Sequence, residues 1–519
     1  MTISDPEAAN EAGPQLLRYW IDRAAARDPD KPFIVFADDG RFVTFRQLRE
    51  QTRRIATFLA AQGLGANDRV ALLSNNSIEH LACYFGVMAY GATVCTVHVE
   101  MNRNQLGNIF ERLNPKLVLY EEGLDLGEVL AQQTAPSLTL GLWDQPAVGT
   151  FFAAVARSAP SDAHLSARPT DDSVILFTSG TSERPKGVIL SFRELLSNAK
   201  PTADNFELTS EDRIYDFRSF NWCSAQTLSA LPPLLRGATL ILGRRFSRTK
   251  FFDHIKQYGA TIATGNPTTL NLLLNGDDVV RREDVPTLRY ITSSSAPLTV
   301  EEWRRFEDRF GIPVAQGYGS SETGWIAAVP GDARRFGTVG RPLPYHDLAI
   351  VDAQGRRLPA GEIGQVELGA FADVDYRYLA EDGAVKVNSR GRIRTGDLGC
   401  LDTDGFLRLT GREKELIIRG GVNISPVEID SVLMQSPEII EAATVGVPDG
   451  VYGEEVVAYV VLRTGSGVGA DDILRHCNAA LPAFKAPKKI LLSDALPKTE
   501  RGKLDRKALV ERWAKERAV

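Results

Sequence analysis

Short apolar runs alternate along this chain with stretches whose apolar residues fall at helical spacing. Val70-Ala71-Leu72-Leu73, Thr93 to Val97, Leu117-Val118-Leu119-Tyr120, Val174-Ile175-Leu176-Phe177, Thr239-Leu240-Ile241-Leu242, Thr261-Ile262-Ala263-Thr264 and Tyr290-Ile291-Thr292 predict buried strands. Between them the period predicts helices from Pro14 to Ala26, over residues 78–90, from Gln105 to Arg112 and around Glu301 to Phe310. Thr44 with Gln47, and Ser191 with Glu194, stand at the spacing of capping boxes. Strands and helices in this order imply α/β layers with a mostly parallel sheet. One local exception is Asp38-Asp39-Gly40 between Phe33–Phe36 and Arg41–Val43, which predicts a hairpin.

The texture changes after Gly331. Short strand-like runs such as Leu348 to Val351 and Gly364 to Leu368 alternate with glycine turns, as in a small β-barrel-like subdomain. From Gly411-Arg412-Glu413-Lys414 onward a third texture begins. A helix from Pro426 to Leu433, strands at Ala442 to Val445 and Val456 to Val461, and a helix from Asp471 to Ala479 predict a small α+β unit. The expected division is therefore 1–411, a large N-terminal domain, and 412–519, a small mobile one.

Composition changes this picture little. The chain has 519 residues, 43% apolar and 24% charged, as a soluble multidomain protein would. Sixty basic residues against 66 acidic ones give a formal charge of −6, with no basic block, which argues against a nucleic-acid partner. The cysteines Cys83, Cys95, Cys223, Cys400 and Cys477 are scattered, and the N-terminus is polar and acidic; a reduced, cytoplasmic protein is expected. Leu81 to Val99 is nearly uncharged and long enough to suggest a membrane span. Gly86, Gly91, Thr93, Thr96 and His98 interrupt it, so it reads as a buried helix, a turn and a core strand.

The stretch Thr178-Ser179-Gly180-Thr181-Ser182-Glu183-Arg184-Pro185-Lys186-Gly187 carries the candidate chemistry. It separates two apolar runs with hydroxyls, glycines and one lysine. Small residues let backbone N–H groups approach a ligand, and hydroxyls and Lys186 suit anionic oxygen. A polyphosphate-gripping loop is expected, although not the P-loop of kinases and ATPases, because no Ser or Thr follows the lysine. A second loop rich in glycine and hydroxyls, Gln316-Gly317-Tyr318-Gly319-Ser320-Ser321-Glu322, follows another strand, where ligands of open α/β sheets sit. Glu322 reads as a Mg²⁺ carboxylate or a helix-start acid, Asp397 as a ribose ligand or an Asx turn, and Lys503 as a deliverable cation or a solvated lysine.

These motifs, in this order, resemble the adenylate-forming superfamily: acyl- and aryl-CoA synthetases, adenylation domains and beetle luciferases. The resemblance covers nearly the whole chain. It implies a phosphate loop at Thr178 to Lys186, with Ser179, Gly180, Thr181 and Ser182; an adenine-side loop at Ser295-Ala296-Pro297; and nucleotide contacts from Gln316, Gly317, Tyr318 and Ser321. Glu322 would support Mg²⁺, Asp397 and Arg412 would meet the ribose and phosphate, and Lys414 would be the hinge. Gly420-Gly421-Val422 would line the thiol tunnel, and Lys503 would be the catalytic lysine. The acyl pocket is expected to draw on Asn221, Trp222, Gly265, Ser293, Gly317 and Ser320.

The implied reaction is an acid–CoA ligation with ATP, Mg²⁺ and CoA, by a monomer or homodimer without an integral membrane segment. The acid is expected to be small, cyclic or aromatic rather than long-chain. Glu183, Phe192 and Tyr345 depart from the family pattern, and Trp222 falls where a histidine is common. The alternatives are an enzyme that loads a separate carrier protein, and a nucleotide-binding regulator without turnover.

Overall fold

In the computed structural model the described residues are 14–165, 167–178, 185–276, 279–328, 333–369, 376–388, 392–499 and 503–517. Two large, mostly parallel sheets organise the N-terminal part. The first runs, in hydrogen-bonded order, through Arg341–Pro342, Gly324–Ala328, Val314–Ser320, Tyr290–Ser293, Ile262–Ala263, Arg213–Asp216, Thr239–Leu242, Pro32–Phe36 and Phe42–Thr44. The second runs through Val385–Asn388, Tyr376–Leu379, Lys186–Ser191, Asp172–Thr178, Thr93–Thr96, Arg69–Leu73, Leu117–Tyr120 and Ser137–Thr139. Antiparallel neighbours lie at the ends of these orders, including the expected hairpin closed by Asp38 to Gly40.

The helix Ile78–Tyr90 lies between the sheets, and all of its residues are buried. The largest core cluster joins its side chains to Phe33, Ile34 and Leu240 of one sheet and to Val70, Val94 and Val174 of the other. This is why the segment reads as apolar all round: it has no face to give to water. Its one acid, Glu79, is tolerated because Arg41 Nη1 lies 2.9 Å from its carboxylate. Ser77 caps the start, and Gly91 ends the helix at φ 106°, a conformation that suits a residue without Cβ. Among the described residues no helix is long and apolar enough to cross a membrane. Both capping boxes form, at Thr44–Gln47 and Ser191–Glu194.

The β-rich stretch supplies a four-stranded antiparallel sheet, Leu348–Val351, Gly364–Gly369, Arg392–Leu401 and Leu407–Arg412. The last sheet begins at Ile417–Arg419. Ile439–Asp449 and Gly453–Leu462 form its long hairpin, and Lys489–Leu492 adds in parallel. Pro426–Leu433 and Ala470–Ala480 bury Ile429, Leu433, Ile473 and Cys477 on one face. Arg506–Arg517 buries Leu509 and Trp513 on the other.

The segment before that last helix holds Lys503, so the helix anchor decides where the segment starts. Arg506 Nη2 donates to Asp430 Oδ2 at 2.6 Å, and Nη1 donates to Thr444 O at 2.8 Å. Burial raises the Asp430 pKa, against the opposing pull of Arg506. Removing one partner of such a pair costs about 3–5 kcal/mol, because the other charge stays buried. Arg506→Met is therefore expected to loosen the final helix by that order; amide-exchange protection of Arg506–Arg517 equal to that of the parent protein would reject the anchor.

Candidate active site

Strands Arg213–Asp216, Ile262–Ala263, Tyr290–Ser293 and Val314–Ser320 are parallel neighbours, so their carboxyl ends share one edge. The candidate residues gather along it for that reason. Ser293 and Gln316 are register partners, and Gly265 lies against the next strand, where an added Cβ would sit 3.1 Å from Thr292 O. Ser295 follows at φ 75°, left-handed backbone that a residue with a Cβ adopts only under strain. Ser295 and Pro297 are exposed and Ala296 is half-buried, which leaves this loop open to a ligand.

Tyr318, Asp397 and Arg412 are brought together from two sheets. Tyr318 Oη donates to Asp397 Oδ2 at 2.6 Å, and Arg412 Nε stands 2.9 Å from Asp397 Oδ1. Asp397 and Arg412 face each other across the Arg392–Leu401 and Leu407–Arg412 ladder, so the register itself delivers the pair. Burial and the adjacent Asp397 carboxylate push the Tyr318 phenol well up, which keeps it a proton donor. The result is a buried carboxylate held from two sides, able to accept hydroxyl donors.

Glu322 sits at the turn between Val314–Ser320 and Gly324–Ala328, half-buried, with Ser321 beside it. Ser320 Oγ lies 3.0 Å from Thr323 Oγ1 within the same turn. Burial and the Glu322 charge push the Tyr378 phenol up, and burial raises the Tyr376 phenol to about 12, with the Glu194 and Glu322 charges adding to it. Strand Tyr376–Leu379 pairs with Lys186–Ser191, and Tyr376 and Glu322 line one hollow, so the acidic turn lies near the strand that opens with Lys186. This hollow under the turn is lined by Glu194, Asn198, Thr227, Glu322, Tyr345 and Tyr376.

The loop expected to grip phosphate lies largely outside the described residues, as Ser179, Gly180, Thr181 and Ser182 all do. Its two ends are defined: Thr178 closes one strand, Lys186 opens the next, and the two are antiparallel partners. The spacing in sequence does not reveal what fixes the exit. Buried Arg112 donates from Nη1 to Pro185 O at 2.7 Å, and its other nitrogens reach Leu379 O and Ala380 O.

Among the acyl-pocket candidates, Trp222 stacks on His98, with centroids 5.3 Å apart and planes at 11°. Asn221 is buried and donates to Ser74 O at 3.0 Å. Gly317 has no room for a side chain, since a Cβ would stand 2.4 Å from the Trp325 ring. His98 had no motif to mark it. Tyr345, a departure without an assigned meaning in the sequence, has a structural one: its hydroxyl donates to Trp325 O and receives Asn198 Nδ2, while His346 Nε2 lies 3.0 Å from the same carbonyl.

Lys414 lies in the short 3-10 turn Glu413–Glu415, between the third sheet and the last. Gly420 and Gly421 both have positive φ at the bend between Ile417–Arg419 and Val422–Ile424, and Gly420 N–H donates to Tyr452 O at 2.8 Å. Lys503 closes a small main-chain loop: Thr499 N–H donates to Lys503 O at 2.7 Å, and Lys503 N–H donates to Thr499 Oγ1 at 3.3 Å.

The hairpin bearing Ser321 and Glu322 depends on Gly319, where a Cβ would stand 2.3 Å from Gly324 O. That contact is with backbone, so the strands themselves must part. Gly319→Ala is expected to cost about 1–3 kcal/mol and to expose the Gly317 to Ala328 amides to exchange; an unchanged melting midpoint and unchanged protection would contradict it.

The model of the AMP-binding enzyme family matches residues 21–369, and that of the AMP-binding enzyme C-terminal domain matches 428–503. A sulfoacetate–CoA ligase of Cupriavidus necator is 32% identical, with 94% of this chain and 96% of that protein covered. An indoleacetate–CoA ligase of Aromatoleum aromaticum is 33% identical, with 94% and 96% covered. Among solved structures, ATP-bound MatB from Rhodopseudomonas palustris superimposes with a TM-score of 0.85 at 28% identity, over 96% of this chain and 99% of that one. The chain belongs to the AMP-binding enzyme family, in its acyl- and aryl-CoA ligase branch.

Proposed function

We propose that the strand edge carrying Tyr318 and Glu322, with Asp397 and Lys186 from the two neighbouring sheets, is the catalytic cleft of this AMP-forming acid–CoA ligase, and that its acid is small, cyclic or aromatic. The enzyme activates a carboxylic acid with ATP, releasing pyrophosphate, and passes the acyl group to CoA, releasing AMP. The observation that best supports the site is the convergence of Tyr318, Asp397 and Arg412 from separate sheets. Asp397 would accept the ribose hydroxyls, and Arg412 would hold that carboxylate in place and face the phosphate. Ser295-Ala296-Pro297 would border the adenine.

In the first half-reaction a carboxylate oxygen of the acid attacks the α-phosphorus and the bond to pyrophosphate breaks. The loop from Thr178 to Lys186 would hold the leaving phosphates, its hydroxyls and backbone N–H groups donating to oxygen. Lys503 would neutralise charge where the two anions meet, an effect strongest in a closed, water-poor site. Glu322 fits Mg²⁺, which takes one or two protein carboxylates together with substrate phosphates; among the described residues no three His, Cys, Asp or Glu side chains gather into a larger site. When bound, the ion would neutralise phosphate charge.

In the second half-reaction the CoA thiol sulfur attacks the acyl carbonyl and AMP departs. A turn of the C-terminal part about Lys414 would withdraw Lys503 and present Gly420-Gly421-Val422 to the cleft. One cleft then serves two steps that need different neighbours.

The limit on acid size is supported by the filled walls. Trp222 lies flat on His98, and Trp325 occupies the space beside Gly317. A flat ring is well suited to stack there. The relatives named for sulfoacetate and indoleacetate also take compact acids.

A pyrophosphate-release screen over many acids, with and without CoA, tests the reading: benzoate-like or short acids are expected to react, and palmitate is not. AMP release that depends on a carrier protein rather than CoA would favour the carrier-loading alternative. Lys503→Ala is expected to lower adenylate formation by at least about 100-fold, within the range of general electrostatic losses, while sparing thioester formation from supplied acyl-adenylate. Lys414→Pro is expected to do the reverse; equal loss of both half-reactions in either variant rules out its assigned role.

A further inference from the structure

The carboxyl ends of the Arg213–Asp216 and Ile262–Ala263 strands carry a buried ion pair that the proposed reaction does not use. Asp216 is fully buried and Arg218 nearly so. Asp216 Oδ1 accepts from Arg218 N at 2.8 Å, Arg218 Nε at 3.0 Å and Thr264 Oγ1 at 2.7 Å. Oδ2 accepts from Arg218 Nη2 and Ser229 Oγ, each at 2.6 Å. The carboxylate is saturated, and the guanidinium charge is balanced within the protein.

One end of that guanidinium is left over. Arg218 Nη1 is buried without a hydrogen-bond partner among the described residues, and so are Asn221 Oδ1, Thr292 Oγ1, Ser293 Oγ and Ser294 Oγ. Two of these atoms share one face of the sheet: Asp216, Thr264 and Thr292 stand two positions after Ile214, Ile262 and Tyr290 of one core cluster, whereas Ser293 follows Ile291 to the opposite face. Thr264, which donates to Asp216, immediately precedes Gly265, and Gly265 lies against Thr292 O. Thr292 belongs to the adjacent parallel strand. Buried polar groups are nearly always paired in native proteins. Arg218 Nη1, held beside Asp216, and Thr292 Oγ1 are orphans on that one face at the carboxyl ends of the strands, and are therefore the protein half of an incomplete hydrogen-bond set.

We infer that the acid this enzyme activates carries a second, uncharged oxygen substituent, a hydroxyl or carbonyl, which accepts a hydrogen bond from Arg218 Nη1. The inference rests on the acid–CoA ligase reading and specifies its substrate class. Charge selects the uncharged form. Asp216 already cancels Arg218, so a second anion buried there would have no counter-charge and would face the Asp216 carboxylate. A neutral oxygen meets the Nη1 donor without that penalty, and a hydroxyl can also donate to an acceptor such as Thr292 Oγ1 on the same face.

The test uses the full chain and stable acyl-sulfamoyl adenosines as mimics of the adenylate, with binding measured by calorimetry. The acyl groups are a plain six-membered ring, the same ring with a hydroxyl or a carbonyl at each position, and the ring with a carboxylate. At least one hydroxyl or carbonyl mimic is expected to bind about tenfold or more tightly than the plain ring, because a site built to pair an oxygen is left unpaired by the analogue lacking it. Arg218→Lys keeps a cation beside Asp216 but lacks the second nitrogen, and is expected to collapse that ratio toward one.

Equal binding of plain and oxygenated mimics, an unchanged ratio in Arg218→Lys, or tightest binding of the carboxylate form would each overturn the inference. If Arg218→Lys does not fold, the Asp216→Asn, Arg218→Gln double variant replaces the charged pair with an uncharged one and is read by the same ratio. If no mimic binds, the cyclic or aromatic acid of the proposed function fails and the inference drawn on it is overturned, a result distinct from equal binding, which fails the oxygen subsite alone.

Discussion

A helix with no solvent face is the constraint on which the rest of the molecule depends. Ile78–Tyr90 is buried throughout, and its walls are supplied by strands of two different sheets. Because both sheets close on the same helix, their relative position is set by side-chain packing rather than by a linker. A close-packed interior transmits such a constraint over distance. The edge that carries Asp216, Ser293 and Gln316 and the strand that opens with Lys186 thus belong to one packed body, and a nucleotide site assembled from both has fixed walls.

Within that body, positioning is done mostly by groups that the reaction leaves alone. Arg112 grips Pro185, Leu379 and Ala380 through their carbonyls. Tyr345 and His346 converge on Trp325 O, and burial lowers the His346 pKa to about 4, against the pull of that carbonyl, so the ring is neutral near pH 7. Asn76 receives Phe220 N–H at 2.9 Å and donates to the carbonyls of Arg218 and Gly243 at 2.8 and 2.9 Å, which pins the loop leading to Trp222. Each of these side chains satisfies backbone groups that would otherwise lie buried and unpaired.

Much of this was legible in the order of residues. Period and capping residues located the helices closely, because Thr44, Ser191 and Gly91 act within a turn of their own position. Tyr318 and Asp397 could be singled out because each stands in a short glycine-rich motif of its own strand, but their contact with each other could not be read there. What escaped was long-range. Nothing near Trp222 in sequence announces His98, and nothing near Pro185 announces Arg112; each pair is joined only when strands far apart in the chain become neighbours. Arg218 escaped for a different reason. A single arginine in a loop reads as a surface charge until Asp216, itself held by Ser229 and Thr264, is seen to bind it.

The fully enclosed helix also bears on how the chain is made. Its walls include Leu231, Leu240 and Leu242, more than a hundred residues downstream. While the ribosome is still adding those strands, thirteen helix residues that belong in the interior have half of their enclosure missing. Contacts of such long sequence separation slow folding, and exposed apolar surface in that interval invites association. The feature that makes the finished cleft rigid is thus the one that leaves the growing polypeptide most dependent on protection during synthesis.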